Sequence, residues 1–338
     1  MKAYKKFFFM FLCLLFVALL PLSLIGCSND AYASKTFFAM DTVMSVSYAG
    51  DGALFPEIES LIQNLEKKVS VTDETSFIYA LNRRGERVTD EECVSLIRRC
   101  AELSALTNGA FDATVYPLVR SWGFTTGQNR VPSDEEISSL LPLVGYEKID
   151  LSDGVTLPTG TEIDLGAIAK GYLSDVLISY LKNAGVTSAV LNLGGNVYAL
   201  GKKQSGSLWR VAVSSPDSDG YVGTLEVSDL AVITSGIYER YFEQDGVRYG
   251  HIIDPFTGKP VDGDLLSVTV VGENGATCDA LSTALFVMGK DKAISFAKQH
   301  DLSVILVDTA RKTYVSESLS SSFRQDDAFR AYGLEVIA

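Results

Sequence analysis

The stretch Asp164-Leu165-Gly166-Ala167-Ile168-Ala169-Lys170-Gly171 (DLGAIAKG) sets an acid and a lysine six residues apart around a run of small side chains. A helical apolar pattern continues behind it, and Gly185 supplies a stop, so a helix is expected over 164–184. The β-branched run SAVLNL (188–193) follows almost at once and reads as a strand. A long helix that delivers the chain straight into a strand makes this a mixed protein. The question is how its other elements are ordered.

Upstream, residues 35–48 alternate well enough for one strand, and 54–69 carry helical periodicity. Thr89-Asp90-Glu91-Glu92 is a capping box that begins a helix ending near Asn108-Gly109. Ser133-Asp134-Glu135-Glu136 repeats the signal for a short helix before Pro142. Downstream, strands are expected at 209–213, 225–234 and 266–271, with a hairpin turn at Gln244-Asp245-Gly246-Val247. Helices at 279–288 and 290–299 and a buried strand at 302–307 complete the order. There is no regular βαβ alternation and no marked domain boundary. The class is α+β, with mixed sheets and packed helices in a single large domain over 35–338.

The amino terminus is different in kind. Lys2, Lys5 and Lys6 precede an apolar run over 7–20, followed by Leu24-Ile25-Gly26-Cys27. That order is a secretory signal peptide over 1–26, and its end resembles the lipobox of bacterial lipoproteins. The resemblance implies cleavage before Cys27 and lipid on its thiol; the alternative is an uncleaved membrane anchor. Either places the protein outside the cytoplasm and on a membrane, with 28–34 (SNDAYAS) as a short tether.

The formal charge of −13 becomes −16 once residues 1–26, with their three lysines and no acids, are removed. So acidic a protein argues against a nucleic-acid partner. A phosphorylated small molecule stays possible where a metal or local cations offset the charge. Of the five cysteines, Cys13 lies in the signal and Cys27 is the expected lipid site. Cys93 and Cys100 fall on one expected helix, about 10.5 Å apart along its axis and too far for a disulfide. Cys278 stands alone, and no zinc spacing exists.

Several segments hold candidate chemistry. In Cys278-Asp279-Ala280-Leu281-Ser282-Thr283, Asp279 and Thr283 share a helix face. Two hard oxygens one turn apart suit part of a Mg²⁺ site, although the spacing alone favours Asp279 as a cap or dipole partner at a helix start. In DLGAIAKG, Asp164 can be an N-cap and Lys170 a solvated side chain; small residues there also allow close approach of a ligand. Asn192-Leu193-Gly194-Gly195-Asn196 permits near approach of main chain but is not a dinucleotide fingerprint, and an ordinary hairpin turn fits it as well. His251, one of two histidines, sits in Tyr249-Gly250-His251-Ile252-Ile253-Asp254-Pro255 and is either a general base or a structural residue bonded to a neighbour such as Asp254.

Taken in order, these segments resemble the ApbE family, the FAD:protein FMN transferases. The resemblance runs from Met40 to about Gly289 through Met40-Asp41-Thr42, the polar segment from Ser70 through Ser76 to Asn82, and Gly109-Ala110-Phe111-Asp112-Ala113-Thr114. It continues with Pro117-Leu118 and Trp122-Gly123-Phe124, DLGAIAKG, Asn192 to Asn196, Ser235-Gly236 and Tyr238-Glu239-Arg240. His251-Ile252-Ile253-Asp254-Pro255, Thr257-Gly258 and Asp279 to Thr283 close it. The resemblance implies an ApbE-type, T-fold-like domain that binds FAD with Mg²⁺ and joins FMN by a phosphoester to a threonine or serine of a target flavoprotein, releasing AMP.

Position by position, it implies Mg²⁺ ligation by Asp279, Thr283 and the backbone carbonyl of Ala167. It implies FAD contacts from Met40, Ala110, Phe111, Asp112, Asp164, Lys170 and Ile253, and a catalytic base at His251. Acceptors would be extracytoplasmic flavoproteins, including membrane redox subunits. One position departs from the pattern: Thr72 stands where many members have an aromatic, and loses a stacking contact of about 0.5–1.5 kcal/mol. Two rival readings follow the same residues. Water as the acceptor gives a Mg²⁺-dependent FAD pyrophosphatase, and no turnover gives a flavin- or solute-binding lipoprotein.

Overall fold

The computed structural model describes residues 32–216, 220–238 and 240–337. The expected signal peptide and Cys27 lie outside the described residues. Strand β1 (Tyr32–Ala39) begins inside the segment expected to be tether. It runs into β2 (Thr42–Ala49) through a turn at Met40 and Asp41, both at positive φ. The single strand expected over 35–48 is therefore a hairpin, paired from Tyr32↔Ala49 to Ala39↔Thr42. Alternation survives a two-residue turn, so the pattern alone did not reveal the reversal.

Helix α1 (Phe55–Val69) buries Ile58, Ile62, Leu65 and Val69, the one-sided stripe that its periodicity requires. Helix α2 (Glu91–Leu106) is capped by Asp90, whose carboxylate accepts from the Cys93 amide, rather than by Thr89 as the capping box suggests. Two short helices follow, α3 (Tyr116–Ser121) and α4 (Asp134–Leu140). Helix α5 (Gly166–Asn183) starts two residues later than expected.

A hairpin of β3 (Ala189–Leu193) and β4 (Asn196–Leu200) turns on Gly194 and Gly195, both at positive φ, which a two-residue turn of this hand demands. Next come β5 (Trp209–Ser214), β6 (Tyr221–Val227) and β7 (Leu230–Gly236). The strand expected over 225–234 is thus two strands in two different sheets, divided at Ser228-Asp229, with Asp229 at positive φ. The hairpin of β8 (Tyr241–Gln244) and β9 (Val247–Gly250) turns at Asp245-Gly246 as expected.

Strand β10 (Leu265–Gly272), helices α6 (Gly275–Met288) and α7 (Lys290–Gln299) and strands β11 (Ser303–Asp308), β12 (Thr313–Ser316), β13 (Phe323–Gln325) and β14 (Leu334–Ile337) complete the chain. The main sheet has the order β1-β2-β3-β4-β7-β10-β11-β12-β14, antiparallel throughout except for β12 beside β14. Its two faces have different covers. Strands β13-β6-β5 pack Val211, Val213, Val222 and Leu225 against Val232, Val271, Ile305 and Val307 of the main sheet. Residues of α1, α2, α5 and α6 join the larger core with the other face, including Met44, Val46, Leu191, Ile233 and Val268. Cys93, Cys100 and Cys278 are buried and unbridged there.

Candidate active site

The contact between α5 and α6 sets the geometry of the site. Gly171 and Gly275 let the two backbones touch: a Cβ on Gly171 would stand 2.2 Å from the Gly275 carbonyl oxygen. Asp175 on α5 locks the contact by accepting from the amides of Gly275 (2.6 Å) and Ala276 (2.9 Å) and from Asn274 Nδ2 (2.8 Å). Asn274 itself is the N-cap of α6, through Oδ1 to the Thr277 amide. Asp279 therefore sits in the second turn and does not cap the helix. Its carboxylate instead crosses to α5, where Oδ2 accepts from the Gly171 amide at 2.8 Å.

That amide's helical acceptor is the carbonyl of Ala167. The Asp279 carboxylate thus competes with the Ala167 carbonyl for one donor, which brings two of the oxygens implied as metal ligands to the same few atoms. Asp279 is only 4% exposed. One turn on, Thr283 Oγ1 lies 3.2 Å from Ser235 Oγ of β7 and 3.4 Å from the Asp279 carbonyl. A carboxylate, a hydroxyl and a carbonyl form an all-oxygen set suited to Mg²⁺, which takes few protein ligands and completes its shell with water and phosphate. No group of three or more His, Cys, Asp or Glu side chains that could hold a metal occurs among the described residues, so the donor chemistry does not suit zinc.

These residues open on a cleft of about 840 Å³. Met40, Ala110, Phe111, Asp112, Asp164, Ala167, Lys170, His251, Ile253, Asp279 and Thr283 all line it, as does Thr72. Every described residue for which the resemblance implies a metal, FAD or base role thus lines one cavity. The amino-terminal turn of α5 lines the cleft through Gly166, Ala167, Ala169 and Lys170, so the positive helix end faces it, with the Gly166 amide already given to Asp164 and the Ile168 and Ala169 amides to the Leu165 carbonyl. Lys170 makes no ion pair among the described residues, which leaves its ammonium for an anion.

Asp164 does not serve as the N-cap, which is Leu165. Its Oδ1 accepts from the Gly166 amide at 2.8 Å, while its own amide donates to the Ala113 carbonyl at 2.8 Å and ties helix α5 to the 110–114 loop. Burial pushes its carboxyl pKa up, against the Gly166 amide and the charges of Arg240 and Lys170. The Asp112 carboxylate faces its own loop, accepting from the amide and hydroxyl of Thr114 and the amide of Tyr146. Burial raises its pKa as well. What this loop can offer a ligand is main chain and the Ala110 and Phe111 surfaces, with Asp112 holding its shape.

His251 is half-buried and sits between two main-chain bonds to one residue. Its amide and its Nδ1 each lie 3.0 Å from the Arg240 carbonyl oxygen. A carbonyl only accepts, so Nδ1 carries the proton and Nε2 keeps its lone pair. Burial, with the nearby charges of Lys170 and Arg240, lowers the pKa from 6.5 to about 4. The ring is neutral at physiological pH, the state a proton acceptor needs. Asp254, the alternative partner, instead accepts from Phe256 and Thr257 in its own turn.

Other residues hold the site without having been singled out for it. Glu66 on α1 accepts from the Met40 amide at 2.6 Å and fixes the strained turn beside the cleft. The Asn82 side chain clamps the main chain of Ile163 through two 2.8 Å bonds, just before Asp164. The guanidinium of Arg240 lines the cleft 3.9 Å from Asp41. Asn196 lines it too, with its buried Nδ2 unpartnered. A capping acid is recognisable only beside its own helix, so nothing in the sequence marks Asp175 as the cap of a helix about a hundred residues away.

Residues 40–306 match the sequence model of the ApbE family. The FAD:protein FMN transferase of Vibrio cholerae is 33% identical over 323 residues, covering 89% of this chain and 96% of that protein. The enzyme of the same name from Klebsiella pneumoniae is 33% identical over 319 residues, covering 91% and 98%. Among solved structures, the ApbE protein of Thermotoga maritima aligns with a TM-score of 0.78 at 34% identity, over 89% of this chain and 99% of that one. The apo flavinyl transferase ApbE of Pseudomonas stutzeri aligns with a TM-score of 0.77 at 30% identity, over 87% and 98%. The family model covers residues 40–306 and the solved ApbE structure aligns over 89% of the chain: the protein belongs to the ApbE family.

Proposed function

We propose that this transferase moves the FMN part of FAD onto a threonine (or serine) hydroxyl of a target flavoprotein, with Mg²⁺, and releases AMP. The observation that carries the reading is convergence. Asp279, Thr283, Lys170 and the base-competent face of His251 open on one cleft, in a chain whose relatives are named FAD:protein FMN transferases.

The acceptor oxygen attacks the phosphorus of the FMN half, forming an O–P bond. The bond from that phosphorus to the bridging oxygen breaks, and the electron pair leaves with AMP. The hydroxyl proton passes to His251 Nε2, because the other ring nitrogen is already engaged with Arg240. Lys170, at the positive end of α5, holds the diphosphate in place, and no nucleophile from this chain is needed. Mg²⁺ held by Asp279, Thr283 and the Ala167 carbonyl would offset the charge that develops on the diphosphate.

Incubation of the full chain with FAD, Mg²⁺ and a candidate acceptor, followed by intact-protein mass spectrometry, tests the proposal. FMN mass on the acceptor supports it, and free FMN with AMP and no labelled acceptor makes the protein an FAD pyrophosphatase. Retention of FAD without consumption makes it a binder.

The lysine-flanked apolar run and Leu24-Ile25-Gly26-Cys27 support an extracytoplasmic protein held on the membrane by lipid on Cys27. Among the described residues, no helix is long and apolar enough to cross a membrane. Cys27→Ala should leave the chain unlipidated in mass spectrometry of its amino-terminal peptide. An unmodified Cys27 in the native protein rejects the anchor.

A further inference from the structure

Thr283 is a useful cation ligand only if its hydroxyl turns a lone pair, rather than its proton, toward the cleft. Three hydroxyls on two elements decide that. Ser282 Oγ donates to the Asp279 carbonyl at 2.8 Å, and that bond takes its only proton. Ser235 Oγ lies 2.8 Å from Ser282 Oγ, and the proton for that bond comes from Ser235. Having given its proton away, Ser235 can only accept in the 3.2 Å contact with Thr283 Oγ1. The Thr283 proton is then directed inward, to Ser235 or to the Asp279 carbonyl at 3.4 Å. Its lone pairs are left for the cleft, which Thr283 lines.

We propose that Ser235, from the central strand β7, is a positioning residue that sets the proton order of this hydroxyl chain and so makes Thr283 a pure electron-pair donor to the divalent cation. Ser282 is fully buried, so the proton order starts from a hydroxyl that water does not reach, and Ser235, 7% exposed, passes it to the cleft wall. The inference rests on the metal site formed by Asp279, Thr283 and the Ala167 carbonyl. It adds that the metal affinity is governed from a strand that supplies no ligand.

The test uses Mn²⁺ alone as the probe, with the unbound ion counted by electron paramagnetic resonance in titrations of the full chain. Unfolding midpoints of the same samples are recorded in parallel. Wild-type protein should bind Mn²⁺ and Asp279→Ala should not. Ser235→Ala should bind about 10–100-fold more weakly at an unfolding midpoint near wild type, because Ser282 still has its bond to the Asp279 carbonyl. Ser235→Thr, which restores a hydroxyl, should recover most of the affinity. Wild-type Mn²⁺ affinity in Ser235→Ala, with Asp279→Ala inactive in binding, overturns the orienting role alone. No Mn²⁺ binding by wild type overturns the metal site and the inference with it.

Discussion

The amide of Gly171 donates to Oδ2 of Asp279 across the α5–α6 contact at 2.8 Å. One bond thereby ties the helix that presents Ala167 and Lys170 to the helix that presents Asp279 and Thr283. The bond exists because both helices carry glycine where they touch. Of the small residues of DLGAIAKG, Gly171 is explained by this packing, while Gly166, Ala167 and Ala169 line the cleft.

Gly171→Ala should therefore be far worse than a methyl group suggests. The new Cβ would lie 2.2 Å from the Gly275 carbonyl oxygen and 2.7 Å from the Asp279 Cβ, so backbone must part. Overpacking of this kind costs about 1–3 kcal/mol. Urea unfolding should show that loss together with a large fall in FAD turnover. Wild-type stability and turnover would mean that the helices do not approach this closely.

Asp175→Ala should loosen the same contact from its other end. It strips the acceptor from two main-chain amides at the start of α6 and from Asn274 Nδ2. Loss of a cap costs about 0.5–2 kcal/mol. Amide hydrogen exchange should localise the added opening to the first turn of α6; faster exchange spread evenly over the domain contradicts a capping role.

His251 yields a pH prediction. Its pKa falls from 6.5 to about 4 on folding, so between those values the unfolded chain binds more protons. The stability due to the neutral ring is whole above about pH 6.5 and is lost as pH falls toward 4. The acid limb of kcat/KM, which reports the free enzyme, should likewise lie well below 6.5. His251→Ala should reduce transfer by about 10²–10⁴-fold, the usual share of a general base. A loss under about threefold would assign proton removal to another group.

The residues of this cleft are gathered in the sequence by the ordered ApbE resemblance rather than by any one local signal. Taken singly, Asp164 and Asp279 also fit helix caps and His251 a structural histidine. Reversals without glycine were not legible. Met40-Asp41 and Ser228-Asp229 turn the chain with residues that alternation accommodates, so two strands were merged in each place. The role of Asp279 was undecidable for a different reason: only the position of Asn274 as the true cap frees its carboxylate to cross between helices. Glu66, Asn82, Asp175 and Ser235 act through partners distant in sequence, and no local pattern encodes those pairings.

Transfer of FMN to a protein, rather than to water, is what separates this proposed activity from an FAD pyrophosphatase. Its most direct measurement is the ratio of AMP released to FMN covalently held on an acceptor threonine or serine, from peptide mass spectrometry of one reaction with Mg²⁺ present. One AMP is expected for each FMN attached, with both signals lost in Asp279→Ala. AMP in excess with FMN free in solution, or FMN attached equally well by Asp279→Ala, would contradict it.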